Sequence, residues 1–565
     1  MDKQKRNYNV FFNTHTVSGI VISIGLFVCF LAGGFALFLD EINYWQEGAK
    51  REVYTTDIDY DRVLSLVEEE NYEMEGRSFF IGLRENIPNY IQVSSQALTM
   101  DSTKSKESVS SKDSLAHASI FLKINPDTYQ VEAREFDRET KKLGTFLYHL
   151  HYFEQIPAVG IYLAGLVALF FSFALFTGII VHWKKIVSNF FTFRLKSSIK
   201  NLWTDGHTAL GVIGIPFQLM YAVTGSFFGL IIILYLPFLV IVFDNDVNKL
   251  TEAFNPVYES DSNEVFVDTG VTANSLVSKT TADLDPQGIE RVSTQITDYG
   301  EPNAQLKVTV QLNDLKYFFG TTHTTYRMAD GKLLNYKPVE ENSYTEVATQ
   351  TMAKLHFAQF GGYLIKAIYF LLAIVTCFVI ISGVMVWLTA REKKTYNHKA
   401  KFNRNVGAIY LGTCLGLYPA IALFFCLVKV FPMEIDHRFG IMSNIFFLFW
   451  LAFTIYAYFL KSPFKINKHA LILASVLGFL VPVLNGLQSG LWLWKSWGMG
   501  YIDSFFIDAS WLAMSIISFW AAMVSKPVIK KQSMMKDKAT DQRFKEEPIK
   551  IRVNEPVLAA NSLRE

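Results

Sequence analysis

The stretch HLHYFEQIPAVGIYLAGLVALFFSFALFTGIIVHW, residues 149–183, decides how the chain is read. Between Ile156 and Val181 it carries no charge. At about 1.5 Å per residue that length crosses a hydrocarbon core of about 30 Å, so it reads as one membrane helix with histidines at both ends. A copy stands 205 positions later: Leu150-His151 matches Leu355-His356, and Gly178-Ile179-Ile180-Val181 matches Gly383-Val384-Met385-Val386. An in-register echo of this kind marks internal duplication.

Working outward, 565 residues that are 50% hydrophobic and 15% aromatic, with a positive mean hydropathy, describe a polytopic α-helical membrane protein with soluble parts. The net charge of +1 says nothing about nucleic acid, but no stretch combines basic clustering with exposed aromatics in a recognisable binding module, so that class is set aside. Cys29, Cys377, Cys414 and Cys426 all fall in apolar spans and form no CxxC pair, so they read as buried helix thiols rather than disulfides or metal ligands. The first apolar run lacks a small-residue cleavage site and reads as a retained helix.

Eight spans follow from hydropathy, at about 16–39, 156–182, 208–242, 362–389, 406–431, 440–460, 470–494 and 504–524. Lys3, Lys5 and Arg6 precede the first span; Lys184, Lys185, Arg194, Lys196 and Lys200 follow the second; Arg391, Lys393, Lys394, Lys401 and Arg404 follow the fourth. The positive-inside rule makes these segments cytoplasmic, together with Lys461, Lys465 and Lys468 and the tail after Lys526. Both termini are then inside the cell's inner membrane. The chain divides into 1–39 (N-terminus and first span), 40–148 (an extracytoplasmic domain), 149–242 (second span, cytoplasmic loop, third span), 243–354 (a second extracytoplasmic domain), 355–392 (fourth span), 393–524 (four accessory spans) and 525–565 (a tail predicted to be disordered).

Both outer segments read as small α+β domains. In the second, Ser275–Ala282 is helix-like, Arg291–Thr297, Gln305–Val310 and Thr321–Tyr326 alternate as strands, and Ala329-Asp330-Gly331-Lys332 makes a turn before Leu333-Leu334. The first ends comparably, with strands at Phe121–Ile124 and Tyr129–Ala133 around Asn125-Pro126-Asp127. Residues 101–113, rich in Ser and Lys, read as a mobile loop.

The first and third spans also repeat. His15-Thr16 and Gly19 match His207-Thr208 and Gly211, and a glycine stands eighteen residues beyond each histidine, at Gly33 and Gly225. The unit of helix, outer domain and helix therefore occurs twice, with its copies related by a pseudo-two-fold axis. His15, His182 and His207 sort to the cytoplasmic edge, and His149, His151 and His356 to the outer edge. His117, His323, His398, His437 and His469 receive no role. A lone interfacial histidine more often reaches for headgroups than binds metal, but repeated pairs at matched depth favour ligation of a metal or a haem iron. Gly19, Gly211, Gly178 and Gly383 would let helices flank a flat macrocycle, and aromatic-rich spans suit one better than a compact zinc or copper ion.

These residues resemble the PepSY-associated transmembrane-helix family: a histidine and glycine opening a helix, an outer domain ending in a turn such as Asp330-Gly331-Lys332, then Leu-His and a glycine closing the next helix, all twice over. The resemblance covers about residues 10–392. It implies two PepSY-like extracytoplasmic domains inserted in a duplicated four-helix core, and two b-type haems, as in inner-membrane reductases of iron–siderophore complexes. The ligands it implies are His151 and His356 for an outer haem, and two of His15, His207 and His182 for an inner one. Where relatives close the second helix with Trp, as Trp387 closes the fourth, this chain has His182. His149, two residues from His151, faces away from it on a regular helix.

A ferric siderophore or other ferric chelate, docked by the outer domains, is the implied electron acceptor. No G-x-G-x-x-G opens a helix after a strand, so there is no flavin or nicotinamide site and the donor is quinol or a separate flavoprotein. One magnitude resists this picture: His151 and His182 are 31 residues apart, about 46 Å as continuous helix, so either His151 stands above the bilayer or Pro157 bends the helix. The rival readings are a non-redox PepSY scaffold that regulates a peptidase, and a transporter, which would need broken helices and charges at mid-depth.

Overall fold

The computed structural model describes residues 3–50, 58–70, 72–83, 90–96, 119–133, 142–183, 186–190, 199–246, 249, 270–284, 288–312, 318–391, 400–432 and 435–525. The Ser/Lys-rich run at 101–113, His117, His398 and the tail from 526 lie outside the described residues.

Along the chain come α1 (Lys3–Ala36), α2 (Leu39–Glu47) and α3 (Tyr60–Glu69), then strands β1 (Phe79–Leu83), β2 (Ile91–Ser95), β3 (Ile120–Ile124) and β4 (Val131–Ala133). Helices α4 (Leu143–His151), α5 (Gly160–His182), α6 (Ile186–Phe190), α7 (Ile199–Ile241) and α8 (Ala273–Thr281) lead to β5 (Ile289–Thr297), β6 (Gln305–Leu312), β7 (Thr321–Arg327) and β8 (Leu333–Lys337). The rest is helical: α9 (Tyr344–Phe357), α10 (Gly362–Arg391), α11 (Ala400–Val430), α12 (Arg438–Leu460), α13 (Pro463–Ser489), α14 (Leu493–Gly498) and α15 (Ile502–Val524).

Eight of these helices, α1, α5, α7, α10, α11, α12, α13 and α15, are long and apolar enough to cross a membrane. Several turn apolar side chains outward, such as Leu163, Leu166, Phe170, Phe173 and Phe176 of α5, which only a lipid solvent tolerates in such number. The molecule is a multi-pass membrane protein. Helices α1, α5, α7 and α10 form a closed ring in which α1 and α7 each pack against both α5 and α10, the arrangement a duplicated helix pair must produce. Gly165 of α5 meets Gly229 of α7, where an added Cβ on Gly165 would lie 2.7 Å from the Gly229 carbonyl carbon.

The 149–183 stretch is not one helix. Helix α4 ends at His151, a turn follows, and α5 starts at Gly160. Phe153 makes the break by adopting a left-handed φ of 63°, with its ring held against Gly25 of α1. In the copy, Ala358, 205 positions on, has a φ of 53° and separates α9 from α10 in the same way. Pro157 lies within the first turn without being its cause, and the 46 Å separation, which assumed continuous helix, does not exist.

The segments between the first and second spans and between the third and fourth share one eight-stranded antiparallel sheet, in the order β4-β3-β2-β1-β5-β6-β7-β8. The halves meet where Ile81 of β1 pairs with Thr294 of β5. Helices α3 and α8 cover one face, so that Tyr60, Val63 and Val67 share a core with Ile81, Val93, Ile296 and Val308. Each such aliphatic side chain contributes about 1.5–3 kcal/mol when fully buried.

The β7–β8 turn is fastened by Asp330, whose carboxylate accepts from Arg327 Nε at 3.0 Å, from Arg327 Nη2, and from the Lys332 amide at 3.0 Å. The Arg327 hydrogen bond holds this carboxyl down at about 2, against about 4 for a free Asp. An acid depressed in the folded state stabilises it above the unfolded pKa and loses that contribution as pH falls through the folded one. Hydrogen-exchange protection of β7 and β8, corrected for intrinsic rates, should thus be flat above about pH 4 and decline toward pH 2. Asp330→Asn should remove the decline; a wild-type profile flat to pH 2 contradicts the argument.

Outside the ring, α11 is the central helix of an accessory bundle with α12 and α13 on either side. Buried polar groups connect that bundle to α2. Asp508 of α15, fully buried, accepts from Trp45 Nε1 and from Asn485 Nδ2, both at 2.8 Å, while Lys429 Nζ donates to the Trp45 carbonyl at 2.7 Å. Helix α2 in turn caps α4: the Leu143 and Gly144 amides donate to Gln46 Oε1 at 2.8 Å and Asn43 Oδ1 at 3.0 Å. Asp508→Leu leaves two buried donors unmatched at about 1–3 kcal/mol each, so thermal unfolding of the detergent-solubilised protein should shift down by several degrees. An unshifted transition would show the network to be dispensable.

Candidate functional site

Four of the six singled-out histidines meet in two pairs. His15 of α1 and His207 of α7 face across the ring, with centroids 6.1 Å apart and planes at 61°. Nearer the sheet, His151 of α4 and His356 of α9 lie 6.0 Å apart at 53°. Each pair joins symmetry-equivalent residues.

The rings are held by a recurring cradle. His15 Nδ1 donates to the Ala174 carbonyl at 2.8 Å, and four residues beyond Ala174 is Gly178. In a helix the side chain at i+4 covers the carbonyl at i, so glycine there opens that oxygen to a second donor. An added Cβ on Gly178 would come within 3.0 Å of His15 Cε1. His207 repeats this with the Val379 carbonyl at 2.9 Å and Gly383, whose Cβ would lie 3.0 Å from His207 Cε1; Ser382 Oγ adds a contact at 3.3 Å. His151 repeats it again: its Nδ1 donates to the Cys29 carbonyl at 2.7 Å, and a Cβ on Gly33 would stand 2.6 Å from that nitrogen.

His356 departs from the pattern. Its Nδ1 donates to Thr224 Oγ1 at 2.8 Å, and that hydroxyl donates onward to the Met220 carbonyl at 2.8 Å. Tyr221, at the position equivalent to Cys29, gives its hydroxyl to the His356 carbonyl at 2.9 Å. In all four rings an acceptor on Nδ1 fixes the proton there and leaves Nε2 with a bare lone pair. Among the described residues none of these Nε2 atoms has a hydrogen-bond partner.

Burial pushes His356 down to about 3, with the neighbouring His151 adding to the effect, and burial likewise lowers His151 against the pull of the Cys29 carbonyl. Both rings are neutral at physiological pH, the form that binds metal. A ring spacing near 6 Å fits one metal atom between two imidazoles bonded at about 2 Å each. Beside the His151–His356 pair is a cavity of about 720 Å³ lined by Phe30, Phe171, Phe217, Tyr221, Phe228 and Phe357 among others. That size and aromatic lining suit a large flat ligand. Gly19, one turn past His15, has nothing within 4 Å of an added Cβ, and Gly211, one turn past His207, has only Val379 Cγ1 at 3.8 Å. The glycines thus divide: Gly178 and Gly383 admit imidazoles, while Gly19 and Gly211 border free space.

The other two histidines stand apart. His182, at the end of α5, lies within electrostatic reach of both His15 and His207 but makes no ring contact with either. Its counterpart Trp387 stacks under the Arg391 guanidinium at 3.9 Å. His149 turns away from His151 and pairs with Glu154, Nε2 to Oε2, at 3.3 Å. His15 and the Cys29–Gly33 segment that holds His151 are fourteen to eighteen residues apart on α1, about 21–27 Å. At the His151–His356 end, rings gather around Phe30, next to Cys29, with Phe171, Tyr221 and Phe217 at 5.6, 5.9 and 6.2 Å.

Thr224, Tyr221 and the tethering carbonyls were not identifiable from sequence. A carbonyl has no residue signature, and its only trace is the glycine four positions later.

A duplicated four-helix ring with paired, tethered histidines and a shared antiparallel sheet defines an internally duplicated multi-pass membrane protein. The chain belongs to the PepSY-associated TM region family, which matches residues 12–390. The accessory helices α11 to α15 lie outside that match. Comparison with curated proteins gives no match.

Proposed function

We propose that this protein is a two-haem electron-transfer protein of the inner membrane that reduces a ferric siderophore or another ferric chelate outside the cytoplasm. One observation carries the reading: four imidazoles, paired across the two repeats, each tethered at Nδ1 with Nε2 bare. His15 and His207 would hold one b-type haem, and His151 and His356 a second. When bound, each haem supplies a one-electron carrier.

The chain's own part is to orient the ligands, exclude water and line the His151–His356 site with an aromatic cluster. The Nδ1 hydrogen bonds raise the donor strength of each Nε2. The fourteen- to eighteen-residue spacing along α1 makes transfer between the two sites shorter than the membrane is thick. In this reading both termini are cytoplasmic and the sheet is outside, so a haem held by His15 and His207 would lie toward the donor and one held by His151 and His356 toward the ferric substrate. Quinol or a separate flavoprotein is the donor.

The test is an absorption spectrum of the protein purified from haem-replete cells. A Soret band that shifts on reduction, with about two haems per chain by the pyridine haemochrome assay, is expected. A colourless preparation would refute the reading and leave the peptidase-regulating scaffold in its place.

A further inference from the structure

Beside the His151–His356 pair is a second group of donors that the haem reading does not use. Residues 148–154 end α4 and make the turn to α5. Two of their side chains converge on one atom: Glu154 Oε2 lies 3.3 Å from His149 Nε2 and accepts the Tyr152 hydroxyl. The His149 and Tyr152 rings are 5.8 Å apart. Glu154 is brought back over the helix end because Phe153 takes its left-handed conformation and the Glu154 amide donates to the His149 carbonyl at 3.0 Å. All three side chains line the 720 Å³ cavity that His151 and His356 also line. The carboxylate of Glu154 is 49% exposed and His149 23%, so the group is open to solvent.

We propose that His149, Tyr152 and Glu154 form a landing site for a hard trivalent metal ion, ferric iron in the reading above. Ligand atoms bonded at about 2.0–2.2 Å to one cation lie about 3 Å from one another, close to the 3.3 Å between His149 Nε2 and Glu154 Oε2. Imidazole, carboxylate and phenol form an oxygen-rich set without sulfur, which selects a hard cation, and tyrosine oxygen is an established ligand of ferric iron. Among the described residues no group of three or more His, Cys, Asp and Glu could hold a metal, so this site depends on the Tyr152 phenol as its third donor. His149 and His151 sit on opposite faces of α4, which places the ion next to, and separate from, the ring pair.

The metal class follows from the donors; the role in ferric reduction rests on the proposed function. The test uses full-length protein in detergent and gallium(III) citrate, a redox-silent stand-in for the ferric ion, in equilibrium dialysis with metal, citrate and haem all quantified. The wild type should retain about one gallium per chain, and Glu154→Gln and Tyr152→Phe should each lower its affinity by about tenfold or more with haem content unchanged. Unchanged retention in both variants, or gallium held with its full complement of citrate, overturns the site. A haem-containing protein that binds no gallium refutes the landing site alone, whereas a haem-free preparation that binds it keeps the site and refutes the redox reading.

Discussion

Replacing His356 by Ala is expected to remove one of the two proposed haems and leave the other in place. The pyridine haemochrome yield should fall from about two to about one per chain, and the reduced-minus-oxidised spectrum should lose roughly half its amplitude. His151 is not expected to hold a macrocycle alone against the competing pull of water and lipid, because among the described residues its ring is fixed by the Cys29 carbonyl and faces the ring it would lose. The His15–His207 pair is about 21–27 Å away along α1 and shares no hydrogen bond with the mutated site, so its content should not change. His207→Ala should give the complementary loss, and the double variant should be colourless. Full haem content in His356→Ala would refute the assignment of that pair.

Gly33→Ala should reproduce the loss of the His356 variant without touching any ligand. The added Cβ would lie 2.6 Å from His151 Nδ1 and 2.9 Å from its Cε1, where the backbone of α1 cannot yield and the imidazole must. Displacing the ring breaks the bond to the Cys29 carbonyl and turns Nε2 away from His356. Overpacking of this kind costs about 1–3 kcal/mol, enough to lower retention of the ligand about tenfold or more. Gly178→Ala and Gly383→Ala, at 3.0 Å from Cε1 of their rings, should weaken the other site by less. Gly19→Ala meets no protein atom and serves as the control for general damage to α1. If Gly33→Ala binds as much haem as Gly19→Ala, the cradle is not what positions His151.

Much of this arrangement was legible because duplication converts single residues into pairs. The echoes of His15 in His207 and of His151 in His356 are local matches at fixed offsets, and hydropathy alone located eight spans. The β5–β8 meander also announced itself, since Gln305–Leu312 alternates and Asp330-Gly331 has turn chemistry. What was hidden depends on contacts distant in sequence. The break after His151 falls on Phe153 and Ala358, whose left-handed backbone no residue preference signals, while Pro157 drew the eye instead. The joining of two sheets into one depends on β1 meeting β5 across 213 positions, from Ile81 to Thr294. Helix α2 escaped because nine residues of mixed polarity have no periodic claim, although Asn43 and Gln46 cap the helix that carries His151.

The seam between β1 and β5 has a consequence for how such a molecule arises. A single repeat has half of each histidine pair and one raw sheet edge, so it could complete itself only against a second copy, as an isologous dimer. Identical subunits would have to present two identical imidazole environments at every shared site. Joining the copies in one chain lifts that requirement. Here His151 leans on a backbone carbonyl and His356 on a threonine hydroxyl, and the end of α5 has a histidine where α10 has a tryptophan. Fusion has let the two sides of each pair diverge, so that a symmetric frame holds histidines in non-equivalent settings.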